Sequence, residues 1–382
     1  MKHYDVAVVG AGVFGAWTAY QLRLSGASVL LLDAYGPGNS RSSSGGESRM
    51  IRLGYGPDEI YSRSAQRSLV LWQQLFTKVN RQELFQPTGI LWLARDRDPY
   101  CEATLSTLRR IGAKCERLDH HQLTSRFTQL NLDPISWGIL EPDSGVLLAR
   151  RAVQAVVLQA SMEGVDYVQA AVAPLQGDSK AHSLRTTSGK EIAADRLVFA
   201  CGPWLPKLFP DLLGELIHVT RQEVFFFGVA AGDESFSAGA LPAWIDFNDL
   251  VYGLPNIEGR GFKIAIDAHG PEFDPDTGER VVSVSGLNAV REYLAQRVPW
   301  LADAPVSETR VCQYENTSNG DLLIDRHPAF ENVWLVGGGS GHGFKHGPAV
   351  GEYAAGMIMG RGTPEERFRL ASKVRVRERK VY

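Results

Sequence analysis

The first 33 residues contain two short apolar runs separated by a stretch with helical spacing. Residues 5–9 and 28–32 are apolar runs of the length and composition of buried strands, and residues 16–24 carry apolar positions at the period of a helix. Two parallel strands need a crossover connection, which is usually a helix. The pattern therefore predicts a βαβ unit and a parallel sheet at the beginning of the chain.

The rest of the sequence divides into segments that mix predicted helices with predicted strands and segments that are rich in predicted strands. Further helices are predicted at 57–79, 149–163, 287–297 and 349–360, and strands at 89–93, 196–200, 223–229, 250–253, 261–266 and 333–337. We expect an α/β and α+β fold with two interleaved domains. A Rossmann-type domain would comprise residues 1–85, 146–215 and 320–382, and a substrate domain on a mostly antiparallel sheet would comprise 86–145 and 216–319.

Composition and charge exclude several classes of protein. The chain has 382 residues, 44% of them apolar, and a net charge of -3, which gives no reason to expect nucleic-acid binding. No apolar run approaches the roughly 18 residues of a membrane span, and no signal peptide is recognisable. Four scattered cysteines predict neither a metal site nor a disulfide framework, so we expect a cytoplasmic protein. The basic segment 367–380 is expected to be a solvated end.

A glycine-rich turn connects the first strand to the first helix. Gly10, Gly12 and Gly15 enclose Val13 and Phe14, and Asp33 ends the next strand. In a dinucleotide site the glycines permit a sharp turn, close approach to the pyrophosphate and close helix packing, and the acid accepts hydrogen bonds from the ribose. The spacing predicts a dinucleotide-binding βαβ unit. It does not distinguish FAD from NAD(P), because both contain adenosine diphosphate.

Further motifs distinguish between the two cofactors. They are Ser43–Arg52, Glu141–Val146, Gly261–Ile264, Cys312–Thr317, Asp325–Pro328 and Gly339–Lys345. With them, nearly the whole chain resembles the monomeric sarcosine oxidase and N-methyltryptophan oxidase branch of the glycine/D-amino-acid oxidase superfamily. The resemblance implies an FAD-binding Rossmann domain. It also implies FAD contacts from Ser43, Ser44, Arg49, Gly339, Gly341, Gly343, Phe344 and Lys345.

The resemblance assigns a special role to Cys312. In the C-x-Y-x-N-T context of this family, the cysteine is joined through sulfur to the 8α carbon of the flavin, so covalent FAD is implied. The alternative is a buried, unreactive cysteine, because free cysteines are often buried.

The same resemblance implies a substrate site over the flavin. Arg52 and Lys345 would bind a substrate carboxylate, and Tyr252 and Tyr314 would form pocket walls. Lys263 would assist the reaction with oxygen, and His342 would contact flavin or substrate. The simpler alternatives are surface charges for the cations, core positions for the tyrosines, a structural histidine, and an outward-facing strand position for Lys263.

The implied reaction is oxidation of the C–N bond of an amino acid or a secondary (N-alkyl or cyclic) amine to an imine, with O2 reduced to H2O2. The alternative is a dehydrogenase of the same fold with another electron acceptor. The expected partners are only the small amine or amino acid and O2, and we expect a monomer.

The sequence departs from the sarcosine oxidases at positions that bear on the substrate. Ser44 and Gly45 replace a histidine pair, and Asp267 replaces a histidine that follows the lysine by four positions. We therefore expect a substrate other than sarcosine. We expect Asp267, Trp244 and Tyr252 to shape the cavity.

Overall fold

The computed structural model describes residues 2–175, 180–181 and 183–375. Its α-helices are α1 (Val13–Leu24), α2 (Glu59–Lys78), α3 (Pro99–Arg110), α4 (His120–Arg126), α5 (Ala149–Met162), α6 (Leu205–Leu208), α7 (Pro210–Leu213), α8 (Val284–Arg297) and α9 (Gly347–Ile358). Its strands are β1 (His3–Val9), β2 (Val29–Asp33), β3 (Arg49–Ile51), β4 (Phe85–Gln86), β5 (Ile90–Ala94), β6 (Glu116–Asp119), β7 (Trp137–Glu141), β8 (Gly145–Leu147), β9 (Asp166–Gln169), β10 (Ser183–Arg185), β11 (Glu191–Phe199), β12 (Ile217–Phe227), β13 (Ala243–Asp246), β14 (Val251–Leu254), β15 (Phe262–Ile266), β16 (Val306–Thr317), β17 (Leu323–Arg326) and β18 (Val333–Gly337).

The first sheet is mainly parallel and carries apolar residues on both faces. Its strand order is β17-β18-β11-β1-β2-β9, and β10 pairs with β11 at one side. Strand β1 pairs in parallel with β2 and β11. Alternate residues of β1 enter two different cores, Val6 and Val8 on one face and Ala7 and Val9 on the other. Burial on both faces explains why these strands read as continuous apolar runs.

The second sheet has eight strands in the order β16-β12-β15-β14-β13-β5-β7-β6. Among its described pairings, β13 with β5 is the parallel one and the others are antiparallel. The long β12–β16 pair aligns Gln222 with Cys312 and Thr220 with Tyr314. A third, small sheet has the order β3-β8-β4 and begins at Arg49.

The α/β and α+β fold class predicted from the sequence is confirmed by these sheets. The first sheet draws its strands from 3–33, 166–199 and 323–337, and the second from 90–141 and 217–317. The division into two domains stays a prediction. Several elements begin earlier than predicted. Among them, helix α1 begins at Val13, immediately after the extended Gly12, and β12 begins at Ile217.

Where the structure describes the basic segment at the end of the chain, Arg369 and Arg375 are exposed as expected, whereas Arg367 and Lys373 are not. The Arg367 guanidinium donates to Asp58 and Asp321 at 2.6 Å, and Lys373 is buried. Two carboxylates thus fix this part of the segment, which corrects the expectation. Arg377, Arg379 and Lys380 lie outside the described residues.

No helix within the described ranges is both long and apolar enough to cross a bilayer.

Candidate active site

The turn between β1 and α1 needs its glycines for steric reasons. Gly10 has φ of 103°, and a Cβ there would lie 2.3 Å from the carbonyl oxygen of Ala200. A Cβ on Gly15 would lie 1.8 Å from the carbonyl oxygen of Gly10. Gly12 lines the adjoining cavity, where backbone without a side chain leaves room for a ligand. The turn therefore has the close packing expected of a dinucleotide site.

Asp33 holds the loops at the ends of β1 and β2. Its Oδ2 accepts a hydrogen bond from the Ala11 amide at 2.7 Å, and its Oδ1 accepts from the amides of Tyr35 and Gly36 at 2.8 Å. The Ser44 Oγ accepts from the Val13 amide at 3.0 Å, at the N-terminus of α1. The predicted acid thus organises the turn around the cavity.

A cavity of about 340 Å³ extends from this turn to the end of β16. That volume lies within the range of small-molecule and cofactor sites. Among the predicted cofactor residues, its lining includes Gly10, Gly12, Val13, Phe14, Asp33, Ser43, Ser44, Arg49, Cys312, Gly339, Gly341, Gly343 and Phe344. Gly15 and Lys345 are not in the lining, because Gly15 packs inside the turn and Lys345 faces a second cavity.

Glu315 adds to the lining of this cavity a carboxyl group whose hydrogen-bonding capacity is not fully used by the described residues. The side chain is 7% exposed and lines the cavity. Its Oε1 accepts from the Gly339 amide at 3.2 Å, whereas Oε2 is buried without a hydrogen-bond partner among the described residues. Burial raises the pKa of Glu315 to about 7. A neutral carboxyl there can donate to a polar cofactor oxygen, so the lining fits a dinucleotide.

Cys312 lies at the far end of this cavity beside a cation. The Arg49 Nη2 is 3.2 Å from its Sγ, and the same nitrogen donates to the Ser43 carbonyl at 3.0 Å. The hydroxyl of Ser43 donates to the carbonyl of Gln313 at 2.8 Å, which joins this loop to β16. Arg49 and Ser43 thus hold the sulfur at the wall of the cavity.

A second cavity of about 90 Å³ adjoins the first. Four residues line both: Arg49, Tyr314, Gly341 and Phe344. The smaller cavity adds Met50, Arg52, Ile245, Phe247, Leu250, Val251, Tyr252, Lys263, Asp267, His342 and Lys345. All six residues predicted to act in catalysis therefore line one small chamber.

Arg52 is fixed in this chamber by aromatic rings and backbone. It is 5% exposed, its guanidinium carbon lies 4.1 Å from the Tyr55 ring centroid and 5.0 Å from the Trp92 centroid, and Nη1 donates to the Gly54 carbonyl. Stacking on rings suits the planar guanidinium.

Glu141 supports the segment that carries Arg52. It is 1% exposed, and its two carboxylate oxygens accept from the amides of Leu53 and Gly54 at 2.7 and 3.0 Å and from Trp92 Nε1 at 2.8 Å. These bonds connect β7 to the chain after β3 and to a stacking partner of Arg52. The carboxylate therefore fixes the position of the guanidinium from outside the chamber.

Lys263 faces the chamber, not solvent. Phe262 and Ile264 enter the core of the second sheet, and alternation along β15 turns Lys263 to the opposite face. Its Nζ donates to the Ser48 carbonyl at 2.7 Å. Burial, followed by the neighbouring Arg49, holds the pKa of Lys263 well below its usual range.

Lys345 lies on the other side of the chamber. Its Nζ donates to the Tyr55 hydroxyl at 2.9 Å and to the His342 carbonyl at 3.1 Å. Burial, and then the adjacent Arg52, holds the pKa of Lys345 well below its usual range. An anion entering the chamber would reverse part of this effect, because an opposite charge favours the protonated amine.

The two tyrosines and Asp267 form the remaining polar wall. The Tyr314 hydroxyl donates to Asp267 Oδ1 at 2.7 Å, and the Tyr252 ring centroid lies 5.9 Å from Lys263 Nζ. Burial, and then the Asp267 charge, holds the pKa of Tyr314 well above its usual range. Both side chains therefore present neutral phenols to the chamber.

Comparison with known proteins shows what this arrangement belongs to. Residues 5–357 match the family described as DAO, FAD dependent oxidoreductase. The chain belongs to this family. Monomeric sarcosine oxidase from Bacillus sp. (strain NS-129) is 31% identical over 360 residues, which is 92% of both chains. N-methyl-L-tryptophan oxidase from Salmonella heidelberg (strain SL476) is 27% identical over 365 residues, covering 94% of this chain and 95% of the relative.

A solved structure also shares the fold. L-proline dehydrogenase from P. horikoshii has a TM-score of 0.84 at 20% identity, with 97% of both chains covered. At this identity the likeness concerns the fold alone. Together the comparisons confirm the predicted family, and the chain is an FAD-dependent oxidoreductase.

Sequence reasoning missed several residues of the DAO-family site and misplaced one. Glu141, Glu315, Tyr55 and His346 are buried and bonded to the site, and each lies in or beside a quoted motif. Trp244 does not line the chamber; the neighbouring Ile245 does. Strand alternation turns Trp244 into the core against Phe262. The same alternation, applied along β13, is the signal that would have placed it.

Proposed function

We propose that this protein oxidises the C–N bond of an amino acid or a secondary amine to an imine, with FAD as cofactor and O2 as the final acceptor. The observation that carries the proposal is the small chamber, where Arg49, Arg52, Lys263 and Lys345 line a space that adjoins the dinucleotide cavity. Its relatives named sarcosine oxidase and N-methyl-L-tryptophan oxidase support oxidation of an N-substituted amino acid.

The substrate carboxylate is bound, in this proposal, by Arg52 and Lys345. The rings and the backbone carbonyl that hold Arg52 leave it little rotamer freedom, which lowers the entropic cost of binding. A guanidinium and an amine in a desolvated chamber form strong charge-assisted hydrogen bonds to a carboxylate. The carboxylate thereby orients the C–H bond next to nitrogen towards the shared wall of the two cavities.

Bound FAD would supply the electron chemistry, which is uptake of a hydride equivalent from substrate carbon and return of two electrons to O2. Lys263 is proposed to act on the oxygen side. Its charged form is costly in the empty chamber and becomes stable when a negative charge forms beside it. Tyr252, Tyr314 and His342 are proposed to orient the substrate through neutral hydrogen-bonding groups.

In the larger cavity, we assign the FAD diphosphate to Gly10, Gly12 and the N-terminus of α1, where the helix amides and the helix dipole favour anions. Asp33 would accept hydrogen bonds from the ribose hydroxyls in addition to those that it accepts from the loop amides.

We further propose that Cys312 is joined through sulfur to the 8α carbon of FAD. Bond formation would remove the thiol hydrogen and one methyl hydrogen, and O2 would take up both as H2O2. The support is the Arg49 guanidinium at 3.2 Å from Sγ. Acid-precipitated wild-type protein should stay yellow, and Cys312→Ser should precipitate colourless after binding FAD in its native state. Colourless wild-type precipitate would exclude the bond.

The substrate is proposed to differ from sarcosine. Ser44 and Gly45 stand where histidines are expected for that substrate, and Asp267 lines the chamber as a carboxylate. A peroxide assay over N-methylglycine, larger N-methyl amino acids, cyclic amino acids and sugar-amine adducts tests this. Turnover of N-methylglycine alone would contradict it, and flavin reduction without peroxide would indicate a dehydrogenase.

We propose that the protein acts as a monomer in the cytoplasm. The four cysteines are free in the structure, which suits a reducing compartment. Two interleaved domains, with boundaries as predicted from the sequence, are part of the same proposal.

A further inference from the structure

A continuous series of side-chain hydrogen bonds runs from the small chamber to helix α2. Lys345 Nζ donates to the Tyr55 hydroxyl at 2.9 Å, the Tyr55 hydroxyl lies 2.7 Å from His346 Nε2, and His346 Nδ1 lies 3.0 Å from Ser64 Oγ. We call these four residues the Lys345–Ser64 chain. Every step is within ordinary hydrogen-bond length.

The chain runs through the interior and ends near solvent. Tyr55 and His346 are 0% exposed and Lys345 is 6% exposed, whereas Ser64 is half-buried and follows the exposed Arg63 on α2. The three inner side chains therefore have almost no contact with solvent. Ser64 is the point at which this chain can exchange protons with solvent.

The polarity of the bonds suits proton transfer. Because Lys345 donates to the Tyr55 oxygen, the Tyr55 hydroxyl hydrogen is directed to a nitrogen acceptor, and His346 Nε2 at 2.7 Å is closer than His342 Nδ1 at 3.3 Å. His342 Nε2 lies 3.0 Å from the Gly320 carbonyl and must carry a hydrogen there. His346 can then accept at Nε2 and donate from Nδ1 to Ser64, as an imidazole does in a relay.

The positive charges around the Lys345–Ser64 chain disfavour the protonated forms of Lys345 and His346. Arg52 faces both Lys345 and His346, and His342 also faces His346, whereas Asp267 and Glu141 lie near Lys345. Burial first holds the pKa of Lys345 and of His346 well below their usual ranges; Arg52 is the next cause for Lys345, and Lys345 is the next cause for His346. These surroundings favour the neutral amine of Lys345, and a carboxylate bound beside Arg52 favours its protonated form.

We propose that the Lys345–Ser64 chain is a proton path that charges Lys345 when a substrate carboxylate binds and discharges it when the product leaves. The polarity above is that of charged Lys345, and it reverses when Lys345 is neutral, so that Ser64 donates to His346 Nδ1, Nε2 donates to the Tyr55 oxygen and Tyr55 donates to Lys345. On binding, one solvent proton enters at Ser64 and each group passes its own hydrogen inward along these bonds. The –NH2 of Lys345 becomes –NH3+, and no electrons move. On release the same steps run backwards. This inference rests on the proposed carboxylate role of Lys345.

The test is proton uptake by the holoenzyme on mixing with acetate, followed by an indicator dye in weakly buffered solution. Acetamide is the uncharged control ligand, and perturbation of the flavin spectrum reports binding. We expect uptake of about one proton per acetate, at the rate of binding, and none with acetamide.

His346→Gln keeps a polar side chain of similar size but cannot pass a proton between two nitrogens. We expect it to slow proton uptake by about tenfold or more, with the acetate dissociation constant changed less than about threefold, because a path alters rates and not equilibria. Tyr55→Phe should act in the same way. Added imidazole should restore the rate in His346→Gly. His327→Gln, at a histidine whose ring packs on Phe209 and Phe330, is the matched control and should behave as wild type.

Two results would overturn the proton path. Acetate binding without proton uptake would do so, and so would uptake by both His346→Gln and Tyr55→Phe at the wild-type rate; either would leave the proposed function standing. Failure of acetate to perturb the flavin at any concentration would overturn the carboxylate clamp itself, and with it this inference.

Discussion

At the scale of single residues, two lysines share a small chamber where burial makes their charged forms costly. Lys263 and Lys345 both have pKa values held well below the usual range, and each has an arginine beside it. Their charge therefore responds to whatever anion enters. Lys345 faces the proposed carboxylate position with Arg52, and Lys263 bonds to the loop at Ser48. One chamber can thus use two lysines at different stages of a reaction.

Replacing Lys263 by Met should slow reoxidation of reduced flavin by O2 by about 10² to 10³-fold, because a preorganised positive group opposite a developing anion is lost. Flavin reduction by substrate should change far less. Stopped-flow absorbance measures the two half-reactions separately. Lys114→Met, at an exposed lysine, should change neither rate. Equal slowing of both half-reactions would refute the oxygen role.

Replacing Glu315 by Gln should make stability less dependent on pH. The pKa of Glu315 is raised by burial to about 7 in the folded chain, so its ionisation favours the unfolded chain. Its contribution is complete below the unfolded value near 4.5 and is lost as pH rises through about 7. Urea unfolding of holoprotein at several pH values from 5 to 8 should show Glu315→Gln gaining stability relative to wild type, by at most about 3 kcal/mol. A difference independent of pH would contradict this.

At the scale of elements, the turn before α1 shows how one helix glycine differs from another. Gly15 lies on α1 where a Cβ would meet the Gly10 carbonyl at 1.8 Å, whereas Gly356 on α9 has only Gly362 at 4.0 Å. The first position joins the helix to the strand, and the second faces open space. Helix propensity alone would treat them alike.

Gly15→Ala should therefore lower the melting temperature and the FAD content of purified protein, since backbone must shift to admit the methyl group. Gly356→Ala is the matched control and should leave FAD content unchanged, with stability equal or higher by up to about 1 kcal/mol. Calorimetry and flavin absorbance per chain measure both quantities. Full FAD content and an unchanged melting temperature in Gly15→Ala would show that the turn tolerates a side chain.

Elements also show how far the sequence could be interpreted. Periodicity predicts β1, α1 and β2, and the motifs predict the family and an FAD-dependent oxidoreductase, all of which are confirmed. Placing a single residue requires knowing which strand face meets the chamber, so the sequence leaves two faces open for Lys263 and puts Trp244 on the wrong one. No local pattern indicates the role of Glu141, because three of its four side-chain hydrogen bonds reach Leu53, Gly54 and Trp92, which are far from it along the chain.

At the scale of the whole molecule, the two larger sheets provide different parts of one site. The glycine turns and α1 adjoin the first sheet, whereas Lys263 on β15 and Cys312 and Tyr314 on β16 belong to the second. The small sheet and the chain after it contribute Arg49 and Arg52. The dinucleotide cavity and the chamber meet where these parts converge.

The most direct test of the central claim is anaerobic mixing of the holoenzyme with a carboxylate-bearing secondary amine, followed by absorbance. We predict bleaching of the flavin by the substrate found in the peroxide screen, much weaker bleaching by its methyl ester and by Arg52→Met, and return of the colour with H2O2 when O2 is admitted. Equal bleaching by acid and ester would contradict the carboxylate clamp. Flavin that stays oxidised with every amine tested would contradict the proposed function.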